Sequence, residues 1–340
     1  MSSSLKKFLI TRFLLTIPMI LILVTLVFFI MRVLPGDPIR SQLGPRVSEE
    51  QANVLRERLG LNDPIIVQYG HYLKDVVTLD FGNALTRGER PIREELGERL
   101  PATLELTIPA MLLTAVLGIE LGSFAAKNRK KVVDYGIRLF SIFIYSIPIF
   151  FMGLIFQIVF GVRLNILPLS GRMDPILLTT FQSKTNFYII DSIITQNWPA
   201  LKSTFLHLIM PSMTLGLSLT GVFIRLTRVN MIEMIKSDFI IAGRARGISE
   251  NKLVYKHSLR NTLIPIMTLI GLQMAILIAG AVLTETTFSW PGMGRYLVDR
   301  IALRDYTAVQ STIAVFAFFV AIISLVMDIL YALVDPRIRY

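Results

Sequence analysis

Few residues of this chain have the types and spacings that enzymatic or metal chemistry needs. Its 340 residues include no cysteine and three histidines, at positions 71, 207 and 257. The lack of cysteine excludes disulfides, thiolate zinc sites and iron–sulfur clusters, and so few histidines argue against a histidine-based centre. The sequence has no phosphate-binding loop G-x-x-x-x-G-K-[ST], no H-E-x-x-H and no G-x-S-x-G. We therefore expect no catalytic residue, no metal site and no cofactor in this chain.

Four acidic residues lie in or beside long apolar stretches, where a charge is costly and is often functional. They are Glu105, Glu120, Asp134 and Asp328. All four lie near the predicted end of a stretch, where an interfacial partner can satisfy them, so we expect structural roles. An ion-coupled carrier or channel, which would want an ionisable residue at mid-depth, is the remote alternative.

The strongest candidate for a functional element is the basic segment from 225 to 262. It is longer than a connection between two helices requires. Ser237 or Asp238 can begin a short helix that ends at Gly247, and Ser249 precedes a second helix that leads to Pro265. Residues 242, 243 and 245 are small, which lets another surface approach closely.

Six apolar stretches of the chain are long enough to form the helices that hold this segment in place. The chain is 53% hydrophobic and 17% charged, whereas soluble domains average about 25% charged residues. A helix needs about 20 apolar residues to cross a bilayer, and the six stretches are 8–31, 104–126, 135–162, 204–226, 263–283 and 307–334. The first is too long for a signal peptide and lacks a cleavage site. The sequence predicts an all-α integral membrane protein with six transmembrane helices.

The distribution of charge predicts the orientation of these helices. Basic residues are enriched on the cytoplasmic side of membrane proteins. The N-terminus, residues 127–133, residues 225–262 and the C-terminal tail together carry +13, whereas the segments 32–100, 163–203 and 285–306 together carry +1. Both termini are therefore expected in the cytoplasm.

The same topology divides the chain into three parts. Residues 1–31 are the N-terminus and first helix, residues 32–100 a small helical extracytoplasmic cap, and residues 101–340 a five-helix core with the cytoplasmic loop 229–262. The cap is expected to contain a helix from Ser48 to Leu59, a second from 67 to 77 and a third around 91–99. Small-residue rows at four-residue spacing in the core predict close helix packing; they are Gly271, Ala275 and Ala279, and Gly153, Gln157 and Gly161.

The cytoplasmic segment resembles the EAA loop of ABC importer permeases. That motif is Glu-Ala-Ala, three residues, Gly and a later Leu-Pro. The matching positions are Ile241-Ala242-Gly243, Arg244-Ala245-Arg246, Gly247 and Ile264-Pro265. Ile241, Gly243 and Ile264 depart from the motif. The long spacer before the proline is similar to that of the dipeptide/oligopeptide branch.

Further motifs along the whole chain are similar to the same branch. They are Pro35-Gly36-Asp37-Pro38, Ala102-Thr103-Leu104-Glu105-Leu106, Tyr145-Ser146-Ile147-Pro148, Leu167-Pro168-Leu169-Ser170-Gly171-Arg172, His257-Ser258-Leu259-Arg260-Asn261, Phe288-Ser289-Trp290-Pro291-Gly292-Met293-Gly294-Arg295, Arg304-Asp305-Tyr306 and Asp335-Pro336-Arg337-Ile338-Arg339. The large insert after the first helix resembles that of the B-type permease of the two in such importers.

The resemblance implies a permease subunit in the cytoplasmic membrane of a prokaryote. It implies three kinds of partner besides lipid: a second (C-type) permease, two ATPase subunits or domains, and an extracytoplasmic binding protein, with no nucleic acid. ATP and Mg would be bound by the ATPases. The ATPase-coupling residues would be Asp238, Ile241, Ala242, Gly243, Arg244, Ala245, Arg246, Gly247 and Ile248, with Arg244 and Arg246 facing ATPase acids. Short peptides are the expected cargo, with nickel complexes and oligosaccharides as alternatives.

Overall fold

The computed structural model describes residues 3–33, 49–58, 60–84 and 90–334. The turn predicted at 35–38 and the motif at 335–339 lie outside these residues. The described residues form helices and connecting loops, without a β-strand. In chain order the helices are α1 Ser3–Val33, α2 Glu49–Arg58, α3 Ile65–Thr78, α4 Ile92–Lys127, α5 Val132–Ser146, α6 Ile149–Phe156, α7 Pro175–Thr180, α8 Tyr188–Ile194, α9 Trp198–Ile235, α10 Asp238–Ala245, α11 Leu259–Gly280, α12 Val282–Thr287, α13 Met293–Ala302 and α14 Tyr306–Val334.

Two π-helical segments extend this list. Gln157–Arg163 continues α6, and Leu253–Ser258, preceded by the single turn Glu250–Lys252, runs directly into α11. Among the described residues, five helical segments are long and apolar enough to cross a membrane: Ile10–Met31, Ile92–Lys127, Trp198–Ile235, Glu250–Leu277 and Tyr306–Leu330. The all-α membrane fold predicted from the sequence is thus confirmed, with five spans or six if the bent pair described next counts as one.

The stretch predicted at 135–162 is not a single straight helix. Its two halves, Val132–Ser146 and Ile149–Arg163, meet at an angle of 100°. Ile147 at the break is extended, with φ −78° and ψ 125°, because a following proline disfavours the helical conformation. Pro148 then begins α6, where its missing N–H is not needed.

Two of the three helices predicted for residues 32–100 are confirmed. α2 and α3 lie where they were expected, and Gly60 takes the left-handed φ of +62° that ends α2. The separate helix predicted around 91–99 is wrong, because these residues are the first turns of the 36-residue helix α4. The boundary predicted at 100/101 therefore falls inside a helix.

Pro101 is tolerated inside α4 because another group uses the carbonyl that it leaves free. A proline cannot donate to the carbonyl four residues earlier, which here belongs to Gly97. Asn186 Nδ2 donates to Gly97 O at 3.3 Å. A side chain from a distant loop thus replaces the missing helical hydrogen bond.

The centre of the fold is the contact between α4 and α9. A Cβ on Gly118 would lie 2.3 Å from Phe223 Cβ, and one on Gly216 would lie 2.7 Å from the carbonyl oxygen of Ala110. Thr114 Oγ1 donates to Gly216 O at 2.7 Å across this contact. Glycines allow the two backbones to approach, as is typical of helix pairs in membranes.

The three glycines among the small residues singled out in the sequence also lie at packing contacts. Gly153 faces Phe288, Gly161 faces Leu169, and Gly271 faces Met327. Packing, rather than lining of a pore, is therefore their role within this chain.

Candidate functional site

The helix α10 and its flanks form a compact element at the end of the bundle where α4 and α9 terminate. α10 spans Asp238–Ala245, as the sequence predicts, and Ser237 is its N-cap residue. Ser237 Oγ donates to Met234 O instead of capping the helix. Gly247 adopts φ +75°, a conformation that glycine takes without the strain a side chain would add, and it turns the chain back toward Glu250–Lys252.

One face of α10 is buried against the rest of the chain. Ile240 and Gly243 are buried. A Cβ on Gly243 would lie 2.8 Å from Leu253 Cδ2 and 3.6 Å from Ile248 Cδ1. Gly243 is therefore small because α10 lies directly on the segment that leads into α11.

The opposite face of α10 is exposed and mostly apolar. Asp238, Ile241, Ala242 and Ala245 are all exposed, and their spacing of i, i+3, i+4 and i+7 places them on one stripe. Ile241 is 51% exposed, and the neighbouring Phe239 is 48% exposed. A stripe with two small alanines and one large apolar residue can fit into a cleft of a partner.

The two arginines of this element have different surroundings. Arg244 forms an ion pair with Glu250 through Nε and a terminal nitrogen. Arg246 is exposed and has no acidic partner among the described residues. Arg246 is therefore a cation that this element presents to the outside, as are Lys236 and Lys252 in its flanks. Arg244, in contrast, already has a partner within the chain.

The element is fixed to the ends of α4 and α9. Lys127 donates to Asn251 Oδ1 and lies 5.6 Å from the centre of the Tyr255 ring. Ala126, Met231 and Val254 form a small buried apolar cluster beneath it. Because α10 is seated on a segment tied to two long helices, a force on α10 would reach both of them.

The other end of α4 carries a buried ion pair that the sequence did not reveal. Arg172 Nε and NH2 donate to Glu105 Oε2 at 2.9 and 2.6 Å, and Ile189 N donates to Glu105 Oε1 at 2.7 Å. The guanidinium also lies 3.8 Å from the Tyr188 ring centre and donates to Asn186 O. The pair ties the segment 163–203 to α4.

A second buried carboxylate, Glu285, lies beneath the N-terminus of α13. Thr103 Oγ1 donates to Glu285 Oε1 at 2.7 Å and Arg295 N to Glu285 Oε2 at 2.8 Å. Burial raises the pKa of the Glu285 carboxyl, although these donors oppose the increase. A Cβ on Gly292 would lie 2.1 Å from Oε1, so this glycine makes room for the carboxylate. Gly292 and Gly294, which flank Met293, are the feature of the sequence that could have indicated this site.

A third group lies nearby on the cap side of α4. Arg300 NH2 donates to both oxygens of Glu95 at 2.7 and 2.6 Å and faces Asp305, and Tyr296 Oη donates to Glu95 Oε2. All three groups join α4 to loops or short helices. Buried carboxylates thus hold this end of the bundle together.

The acids expected to be structural have partners in three of four cases. Asp134 pairs with Arg228, Glu105 with Arg172, and Asp328 with Arg12 at 3.5 Å. Glu120 is exposed. Among the described residues, no three histidine or acidic side chains gather into a group that could hold a metal.

Comparison with known proteins gives matches to two family models and to relatives that include two peptide permeases. The pattern of the family "Binding-protein-dependent transport system inner membrane component" matches residues 118–340, and that of its N-terminal region matches residues 5–107. The chain is 40% identical to a dipeptide transport system permease protein, DppB, of Alkalihalophilus pseudofirmus, over 97% of this chain and 98% of that protein. It is also 40% identical to a di/tripeptide transport system permease of Pseudomonas aeruginosa, over 98% and 99% of the two chains.

A solved structure has a similar fold. A chain of the MetNI methionine ABC transporter in an inward-facing conformation aligns with a TM-score of 0.51 and 14% identity. The alignment covers 69% of this chain and 93% of that chain. At this identity the likeness concerns the fold alone.

Proposed function

The chain belongs to the family of binding-protein-dependent transport system inner membrane components, and from this premise we propose that it is the B-type permease subunit of an ATP-driven importer of short peptides. Relatives named as dipeptide and di/tripeptide permeases match it over nearly its whole length. This full-length match supports peptides as cargo over nickel complexes or oligosaccharides. The permease itself carries out no chemical reaction.

The observation that carries the proposal for energy coupling is that α10 is buried on one face and exposed on the other. Its inner face is seated on the chain, and its outer stripe of Asp238, Ile241, Ala242 and Ala245 is open to solvent. We propose that this stripe docks into a cleft of one ATPase subunit and that Arg246 pairs there with an acid. Closure of the ATPase dimer would then displace α10 and, through Leu253 and the ends of α4 and α9, the helices around the pathway.

The remaining partners follow from the same proposal. A second, C-type permease completes the pathway, two ATPase subunits bind ATP and Mg at the α10 end, and a binding protein delivers peptide to the cap and the segment 163–203. The charge distribution supports placement of both termini and α10 in the cytoplasm of a prokaryotic cell.

The coupling role can be tested in the importer assembled from this chain, its second permease, both ATPases and the binding protein. Arg246→Glu should weaken binding of the ATPase about tenfold or more, since an interfacial charge contact becomes a repulsion, and should lower peptide-stimulated hydrolysis. Lys7→Glu, which reverses an exposed cation on α1, is the matched control. Equal ATPase binding by Arg246→Glu and the parent would reject the docking assignment.

The orientation has its own test, which uses the absence of native cysteine. Lys184→Cys and Ser249→Cys both place a thiol at an exposed position. A membrane-impermeant maleimide added to intact, outer-membrane-permeable cells should label the first variant and spare the second until the cells are broken. The reverse pattern would overturn the topology, and with it the placement of α10 beside the ATPases.

The cargo is identified by the ligand of the cognate binding protein. The importer should take up labelled di- and tripeptides with ATP, and no uptake should occur with this chain alone. Uptake of a nickel complex or an oligosaccharide but not of peptides would reject the peptide assignment and leave the ATP-driven mechanism standing.

A further inference from the structure

The turn between α4 and α5 presents three cations to solvent. Arg129, Lys130 and Lys131 are all exposed, and no acidic side chain pairs with them among the described residues. The preceding Lys127 is different, because it is engaged with Asn251 and Tyr255 beside α10. The three cations therefore form a group separate from the α10 element.

The nearest acid cannot neutralise this group. Asp134 is buried and accepts from Arg228 Nε at 2.6 Å and NH2 at 2.8 Å. Its Oδ2 also accepts from Lys130 N at 3.0 Å, which fixes the turn where Lys130 takes φ +66°. Asp134 thus holds the backbone of the turn in place, while its carboxylate forms an ion pair with Arg228.

A fourth cation, Arg138, lies two turns further along α5. Its guanidinium is 5.8 Å from the centre of the Tyr135 ring, so the side chain inclines back toward the turn, as helical side chains do. Lys131 and Arg138 are seven residues apart, a rise of about 10 Å. An arginine side chain that extends toward the turn shortens this separation while its Cα lies deeper in the membrane.

The helix around Arg138 exposes an apolar surface. Val132, Leu139 and Phe143 are 86%, 68% and 66% exposed and follow one another along one side of α5. In a membrane protein such a surface contacts acyl chains or another apolar helix. The charged turn can therefore bind the headgroup of a phospholipid, and the apolar side of α5 can contact its acyl chains.

We propose that Arg129, Lys130, Lys131 and Arg138 bind the phosphate of an anionic phospholipid whose acyl chains lie along Leu139 and Phe143. The charge complementarity favours this occupant: three exposed cations without an acidic partner among the described residues, and Arg138 on the adjoining helix, lie beside an apolar helical surface, and a phosphodiester with a lipid tail satisfies both. In the proposed orientation the lipid belongs to the cytoplasmic leaflet, where polybasic segments attract anionic headgroups. The site is independent of α10 and of the cargo.

The test uses the purified, delipidated importer in mild detergent and compares phosphatidylglycerol with phosphatidylcholine. The readouts are the number of lipids retained in native mass spectrometry and the shift of the melting temperature, since a ligand that binds the folded state stabilises it. The parent should prefer phosphatidylglycerol at least about tenfold, because each cation near a membrane contributes about fivefold. Glycerol phosphate without acyl chains should give no shift.

Two sets of variants address the site. Arg138→Gln should lower the preference about fivefold, Arg138→Lys should keep most of it, and the triple change Arg129→Gln, Lys130→Gln and Lys131→Gln should abolish it. The control Arg163→Gln removes an exposed arginine at the far end of the same bent helix pair and should leave the preference intact.

Three outcomes would overturn the proposal. One is an unchanged phosphatidylglycerol preference in both Arg138→Gln and the triple variant. Another is an equal loss in Arg163→Gln, which would indicate a general charge effect. The third is loss of the second permease or the ATPase from the triple variant with lipid preference retained, which would assign the cations to a protein interface. Because the triple change alters only exposed turn residues, it keeps the test valid if Arg138→Gln fails to fold.

Discussion

Replacement of Arg172 by methionine should be among the most destabilising single changes in this chain. Arg172 and Glu105 have side chains only 4% and 5% exposed. Methionine keeps much of the arginine volume but removes both donors to Glu105 Oε2 and the donor to Asn186 O. Glu105 would keep a single observed donor, Ile189 N.

The magnitude follows from burial of the carboxylate. Removal of one partner from a buried ion pair costs about 3–5 kcal/mol because the other charge is left uncompensated. With an unfolding entropy of about 2.1 cal/mol/K per residue, a chain of 340 residues loses roughly 4–7 °C in melting temperature for that cost. The change should be local to the segment 163–203 and α4, so ATPase binding at the other end should be preserved.

A double-mutant cycle measures the pair directly. Arg172→Met, Glu105→Gln and the double variant are expressed, and thermal unfolding is followed in detergent. The double variant should recover at least about half of the loss, because neither buried charge remains. If Arg172→Met melts within about 1 °C of the parent, or if the double variant loses the sum of both single changes, the pair does not hold the segment 163–203 to α4.

Three further predictions concern single positions. Asp191 is buried, which opposes ionisation, but hydrogen-bond donors from residues 183–185 outweigh burial and lower the pKa of Asp191. The ionised carboxylate therefore stabilises the fold fully above the ordinary pKa of 3.8, and this stabilisation is lost as the pH falls below that value. Asp191→Asn should thus lower the melting temperature more at pH 7 than at pH 3, and equal losses at the two pH values would refute this. Gly292→Ala should lower the melting temperature by about 1–4 °C, the effect of about 1–3 kcal/mol of overpacking against Glu285 Oε1. Gly136→Ala, with no neighbour within 4 Å, should not lower it, and equal behaviour of the two variants would contradict the packing argument. In Gly247→Leu the new Cβ meets no atom of the chain within 4 Å, and the positive φ adds about 1–2 kcal/mol of backbone strain. The permease should therefore melt within about 3 °C of the parent, whereas peptide-stimulated ATP hydrolysis should fall. Unchanged hydrolysis would count against docking of α10 on the ATPase.

The long helices could be predicted because their signal lies in local composition. A run of about 20 apolar residues is sufficient to identify a span, and the short helix at Asp238–Ala245 follows from a serine before it and a glycine after it. The positive φ of Gly247 is part of the same local signal that ends the helix. Such features depend on neighbours within one or two turns, so a single sequence contains them.

The partners of buried charges could not be predicted for a physical reason. Arg172 and Glu105 are 67 residues apart, and Arg300 and Glu95 are 205 residues apart. No local pattern joins them, because helix packing alone determines which cation reaches which carboxylate. The same holds for Pro101: the start of α4 was placed too late because the donor that compensates this proline, Asn186, comes from a distant loop.

Arg244 shows how local structure can change an interpretation of charge. Its position in the basic segment suggested a contact with a partner acid, yet it pairs with Glu250 six residues later. The proposed contact therefore rests on Arg246 and on the exposed stripe of α10. A sequence shows which charges are present but not which are already neutralised.

The most direct test of the central claim is a crosslink between α10 and the ATPase. In the assembled importer, Ala242→Cys and Ala245→Cys place single thiols on the exposed stripe of a chain with no other cysteine, and Lys7→Cys provides an exposed control on α1. With a cysteine introduced along the rim of the ATPase cleft, a short bifunctional maleimide should join both α10 variants to the ATPase, with a yield that changes when ATP is bound, and should not join Lys7→Cys. Failure of both α10 variants to crosslink, or a crosslink from Lys7→Cys with a yield equal to theirs, would contradict the account.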